Sequence, residues 1–183
     1  MSSIFDDALV CVVVADHITV EQTNKIYALG LGVNYLGLGP NGVTPPLSVA
    51  ALIEFPAMHA GTQFSVSLEL RDETAGHVVS VLMPPSGRKE ALRVQQVMSA
   101  DPPAIPNLTL PHESPSRAQM VLGFANGLQL TAGHFYRWRF ELDGQHRKGW
   151  SASFGVVGLT PNMPVFGGPT APAPTDLPTL GDA

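Results

Sequence analysis

Three observations predict an all-β fold, a sandwich or a barrel. β-branched and aromatic runs recur along the chain between Gly, Pro and Asn punctuation. No long segment carries a helical period. The stretch 133–144, GHFYRWRFELDG, alternates Tyr136, Trp138, Phe140 and Leu142 with Arg137, Arg139 and Glu141, the period of a strand with one buried and one wet face.

The first strand is expected over Leu9–Ala15, an apolar run in which Cys11 reads as a small buried hydrophobe. Residues 25–38 hold Ile26, Leu29, Leu31, Val33, Tyr35 and Leu36 around Gly30, Gly32 and Gly37; interior glycines mark bulges, so this element is expected to bend between sheets. Pro40-Asn41-Gly42 closes it as a turn, and Leu47–Phe55 follows as a strand ended by Pro56. Phe64, Val66, Leu68 and Leu70 then alternate inward, with Gln63, Ser65, Ser67, Glu69 and Arg71 outward. Residues 72–76 read as a hairpin loop into a strand over 77–83. Further strands are expected at 92–98, 120–124, 128–130 and 150–157, with Asp143-Gly144 as the turn before the last. Eight or nine of these runs are expected to be strands, with short helical turns allowed near 51–60 or 88–94.

Two segments stand apart. Residues 99–116 carry Pro102, Pro103, Pro106, Pro111 and Pro115; proline fixes φ and removes a donor, so a long surface loop is expected there. From Thr160 onward the chain has no Lys or Arg and prolines at 161, 164, 169, 172, 174 and 178. This composition favours an extended arm with Val165, Phe166, Leu177 and Leu180 as apolar anchors. The expected organisation is a sandwich domain over 1–159 and a C-terminal arm over 160–183.

At 183 residues the chain suits one core. Only 14% of residues are charged, against roughly 25% in typical soluble domains, so part of the surface is expected to lie against another subunit. The net charge of −5 is spread along the chain, which speaks against nucleic acid as a partner. The run at 8–15 is too short to span a bilayer and follows Asp6 and Asp7, so neither a membrane segment nor a secretion signal is expected.

Residues for chemistry are sparse. There is no GxSxG elbow, no Walker-type loop and no GxGxxG. His17, His59, His77, His112, His134 and His146 lack the HxH or HxxxH spacing of metal sites, and Cys11 has no cysteine partner. Asp72 and Glu73 are sequence neighbours, which point to opposite faces of a strand, and read as a solvated turn. No catalytic residue, cofactor or metal is therefore expected. Arg137, Arg139, Arg147 and Lys148 form the one local basic cluster. Phe135, Arg137 and Arg139 share the outward face of their strand, and arginine with an aromatic suits a protein interface.

Three pieces together, Ala15-Asp16 followed by residues 25–30 (KIYALG), residues 66–72 (VSLELRD), and residues 133–138 (GHFYRW) ending at Asp143-Gly144, resemble a family of small bacterial and phage proteins of unknown function. The resemblance covers roughly 14–158 and implies an immunoglobulin-like antiparallel sandwich; the proline-rich loop and the arm fall outside its pattern. It supplies no catalytic residues. It implies a non-enzymatic structural role, expected here as protein–protein association in a phage virion subunit such as a capsid decoration or minor virion protein. The expected location is the virion or host cytoplasm. Two alternatives are a small-ligand or carbohydrate-binding sandwich with Phe135, Tyr35 or Trp150 lining a groove, and a hydrolase whose site converges only in three dimensions.

Overall fold

The computed structural model describes residues 3–21, 25–83, 87–102, 111 and 113–158. A single helical turn, α1 (Ile4–Asp7), precedes β1 (Leu9–Ala15), β2 (His17–Val20), β3 (Ile26–Leu29), β4 (Tyr35–Gly37) and β5 (Leu47–Phe55). A 3-10 turn at Ala57–His59 leads to β6 (Gln63–Asp72), β7 (His77–Val78), β8 (Ser80–Met83), β9 (Arg88–Ala91) and β10 (Arg93–Ser99). β11 (Ser116–Phe124), β12 (Phe135–Leu142) and β13 (Ser151–Val157) complete the domain.

Two sheets face each other. The smaller has the order β1-β5-β11, all antiparallel, with Val12 opposite Ala51 and Ala51 opposite Met120. The larger has the order β10-β6-β12-β13-β4, with β7 added to β6 and only β4 running parallel to its neighbour. Strand alternation aims Val12, Val14, Val49, Ile53 and Phe55 of the first sheet at Phe64, Val66, Leu68, Leu70, Trp138, Phe140 and Phe154 of the second. The inward residues predicted on β6 and β12 are all buried there. Eight strands thus build the sandwich, as the sequence predicts, with β7 a short ninth.

The remaining strands are local hairpins, β2-β3 and β8-β9. The first lies over the outer side of the smaller sheet, where Ile18 packs with Ala15 and Ala50. This explains why β5, the central strand, is buried on both sides along its first half. The predicted bend in 25–38 is present: β3 belongs to this hairpin and β4 to the larger sheet.

Of the two places where a helical turn is allowed, 51–60 has one at Ala57–His59 and 88–94 is extended. Three expectations need correction. Residues 128–130 form a single bridge, Val43 to Gln129, and not a strand. The expected strand over 77–83 is broken at Val79, whose N–H bonds Leu70 O while its carbonyl accepts from Leu92. Cys11 is exposed: in β1 it points to the outer side of the smaller sheet, opposite Leu52, while Val12 and Val14 take the inner side.

Both ends of the sandwich are locked by specific contacts. At one end α1 brings Phe5 edge-on to Trp150, with ring centroids 5.0 Å apart, and Arg147 stacks on Phe5 while reaching Asp6. Asp7 Oδ2 lies 2.8 Å from the buried His59 Nε2. At the other end the Tyr136 hydroxyl accepts the N–H of Thr131 at 2.8 Å, tying the start of β12 to the chain five residues upstream.

Candidate functional site

The odd-numbered residues of β12 face away from the core. Register sets Phe135 opposite Gly155, Arg137 between Arg71 and Ser153, Arg139 between Glu69 and Ser151, and Glu141 opposite Ser67. β10 adds Arg93 opposite Glu69 and Gln95 opposite Ser67, and β4 adds Tyr35 opposite Gly155. One continuous face results. From Phe135 to Glu141 it runs about 20 Å at the rise of a strand.

Its first end is aromatic. Tyr35 is 63% and Phe135 54% exposed, with ring centroids 6.4 Å apart in an edge-to-face arrangement. The Tyr35 ring lies directly on the backbone of Gly155, where a Cβ would come within 2.8 Å of two ring carbons. Glycine is what lets the ring settle there. Val157, 48% exposed, follows two residues along on the same face.

The middle is ionic. Arg71 Nη1 lies 3.2 Å from Glu69 Oε1, and Arg93 Nη2 lies 2.7 Å from Glu141 Oε2, which also accepts from the Ser67 hydroxyl. Arg139 Nη2 is 3.4 Å from Glu141 Oε1. The alternation predicts Ser67 and Glu69 to be wet, yet they are 3% and 4% exposed. The guanidinium side chains of Arg71 and Arg93 close around Glu69, and long arginine stems cover what a strand pattern leaves open. A buried carboxylate is tolerated because it is paired. The layer is therefore a fixed surface.

Of the residues expected to meet a partner, Phe135 stands in the open and Arg137, half-buried, lies beside it on the same face. Arg137 is steadied by Ser153 Oγ at 3.1 Å and Glu73 at 3.7 Å. Arg139 is drawn into the ionic layer, and its buried Nε finds no partner among the described residues. Val165, Phe166, Leu177 and Leu180, with the arm at 160–183, lie outside the described residues. Trp150 does not line a groove: it is buried against Phe5 and Phe140.

Beside the aromatic end lies a constellation that sequence reasoning missed. Glu73 is exposed as a turn residue should be, but Asp72 is 4% exposed. Its Oδ2 is 2.7 Å from His134 Nδ1 and its Oδ1 accepts the N–H of Ala75 at 2.8 Å. A carboxylate only accepts, which places the His134 proton on Nδ1. Burial pushes the Asp72 carboxyl up, but the bonds from His134 and Ala75 and the imidazole charge outweigh it, and the net shift is below the usual carboxylate value. Burial also raises the Tyr136 hydroxyl. No nucleophile hydrogen-bonds to His134 among the described residues, so the pair reads as a clamp between the β6–β7 turn and β12. Sixty-two residues separate its members, and no spacing rule signals such a pair.

Among the described residues no group of three His, Cys, Asp or Glu side chains is placed to hold a metal ion. No helix among them is long and apolar enough to cross a membrane. In comparison with known proteins, no family model matches the chain and no curated protein matches it.

Proposed function

We propose that the protein is a non-enzymatic association module that docks through the outer face of its larger sheet, with Tyr35, Phe135 and Arg137 as anchors. The observation that carries this reading is the Tyr35–Phe135 pair: two large rings more than half exposed, set on β4 and β12 either side of Gly155 of β13 and flanked by an arginine. Tyr and Arg at a fixed, partly apolar spot are the residue types that dominate binding energy at interfaces. The ionic layer beside them supplies a preorganised polar rim.

The resemblance implies a virion role, as a capsid decoration or minor virion protein; in the most specific form of the reading, the partner that this face meets is a second copy of the chain. An immunoglobulin-like arrangement belongs to the same proposal; the bond from Thr131 N–H to the Tyr136 hydroxyl supports it, being the corner such sandwiches use. Sedimentation velocity of the full chain across a wide concentration range tests the proposal. Reversible self-association is expected, and Tyr35→Ser with Phe135→Ser is expected to abolish it. A monomer at every concentration, or association indifferent to both substitutions, would overturn it.

A further inference from the structure

At the opposite end of the same face, between β10, β6 and β12, lies a cavity of about 300 Å³ lined chiefly by Ser65, Ser67, Arg93, Gln95, Val97 and Glu141. That volume sits at the lower end of the range for small-molecule sites, roughly 300–1,000 Å³.

Its charges are compensated within the protein. Arg93 reaches Glu141 at 2.7 Å and Glu69 at 3.9 Å; Arg139 approaches the other oxygen of Glu141. Asp143, which precedes the lining residue Gly144, accepts both the N–H and the hydroxyl of Ser65 on its Oδ1, at 2.7 and 3.1 Å. Among the lining residues themselves Arg93 and Glu141 are paired with each other, so the lining offers neither a cation without a carboxylate nor a carboxylate without an arginine. What remains available is neutral. The exposed Gln95 amide carries two donors and an acceptor and has no partner among the described residues, and the serine oxygens keep free lone pairs. Val97, 71% exposed, adds a small apolar wall. Mixed donors and acceptors, no net charge among the lining residues and the apolar side of Val97 match a ring that carries hydroxyls around its edge and C–H groups on its face.

We propose that this cavity binds a neutral saccharide, with one pyranose ring in the cavity and the rest of the chain leaving over its open side. The site is separate from the Tyr35–Phe135 end and does not depend on the association proposed above.

The test uses the full chain, with methyl glucopyranosides, maltotetraose, cellotetraose and chitotetraose as neutral probes and glucuronate as a charged one. Titration calorimetry and saturation-transfer NMR are the readouts. At least one neutral probe is expected to bind with an affinity unaffected by salt, since no ion pair forms. Gln95→Ala is expected to weaken it about tenfold, the scale of one or two lost hydrogen bonds. Gln95→Glu is expected to act in the same direction, and Phe135→Ala to leave binding unchanged. Gln95 is exposed on an edge strand, so both variants are expected to melt as the parent does. Absence of binding by every neutral probe overturns the proposal. So does a salt-sensitive preference for glucuronate, or binding lost with Phe135→Ala and kept with Gln95→Ala.

Discussion

Replacing Asp72 by Asn isolates the clamp between the β6–β7 turn and β12. The amide keeps the shape and can still accept from Ala75, but its NH2 then confronts the Nδ1–H of His134 at a position only 4% exposed. A hydrogen bond to a buried charged group contributes about 1.5–3 kcal/mol net. A loss of about 2 kcal/mol near neutral pH is therefore expected, or about 4–8 °C in Tm for a domain of this size. The pH dependence fixes the cause. The folded carboxyl lies below its ordinary value, so the stability it adds is fully present above the ordinary carboxylate range. That stability is lost as pH falls through the lower, folded value. Urea unfolding of both proteins between pH 8 and 3, followed through the buried Trp138 and Trp150, should show a gap that narrows as pH falls through the carboxylate range. A gap that fails to narrow there would refute the reasoning.

Gly127→Ala is expected to cost more than about 2 kcal/mol by thermal melting, because φ is +68° and the new Cβ would run into the carbonyl oxygen of Thr44. Gly61→Ala, at φ +76° with open space around it, should cost about 1 kcal/mol by the same assay; equal losses would show that the contact with Thr44 does not matter. Trp150→Ala should lose about 3–5 kcal/mol in urea unfolding, since it removes a buried ring that Phe5, Phe140 and Arg147 all contact. Phe135→Ser should stay within about 0.5 kcal/mol of the parent, being more than half exposed, even where it abolishes association. Cys11 should react with a thiol reagent in the native protein without denaturant; protection until unfolding would contradict its place on the outer side of β1.

Legibility in the sequence followed how local each determinant was. Leu9–Ala15 and Leu47–Phe55 coincide with β1 and β5 residue for residue, because both are mostly apolar and are bounded by Asp16 in the first case and by Pro46 and Pro56 in the second. On β6 and β12 the inward set was readable from period two alone. The outward set was not: whether Glu69 is wet depends on Arg71 and on Arg93 of a neighbouring strand. Cys11 failed for a related reason, since an unbroken apolar run does not say which side of an edge strand is covered. The pairing of Asp72 with His134, and of Tyr35 with Phe135, depends on register across four strands of the larger sheet. Phe135 and Arg137 were legible as outward residues because period two assigns them to the side of β12 opposite Tyr136 and Trp138.

The two locked ends of the sandwich also fix how the domain would bear a load. Phe5 meets Trp150 at the start of β13, whereas Gly32 N–H bonds Val14 O near the far end of β1, close to where Asn34 O accepts from Gly155. β1 and β13 therefore run in the same direction against each other, and the described chain enters at one pole and leaves at Gly158 at the other. Tension applied between those poles would pull β1 and β13 lengthwise past their neighbours. It would strain the β1–β5 and β12–β13 ladders across many rungs at once, where peeling would open them one rung at a time. Along that axis the two ladders are therefore loaded in shear, all rungs together.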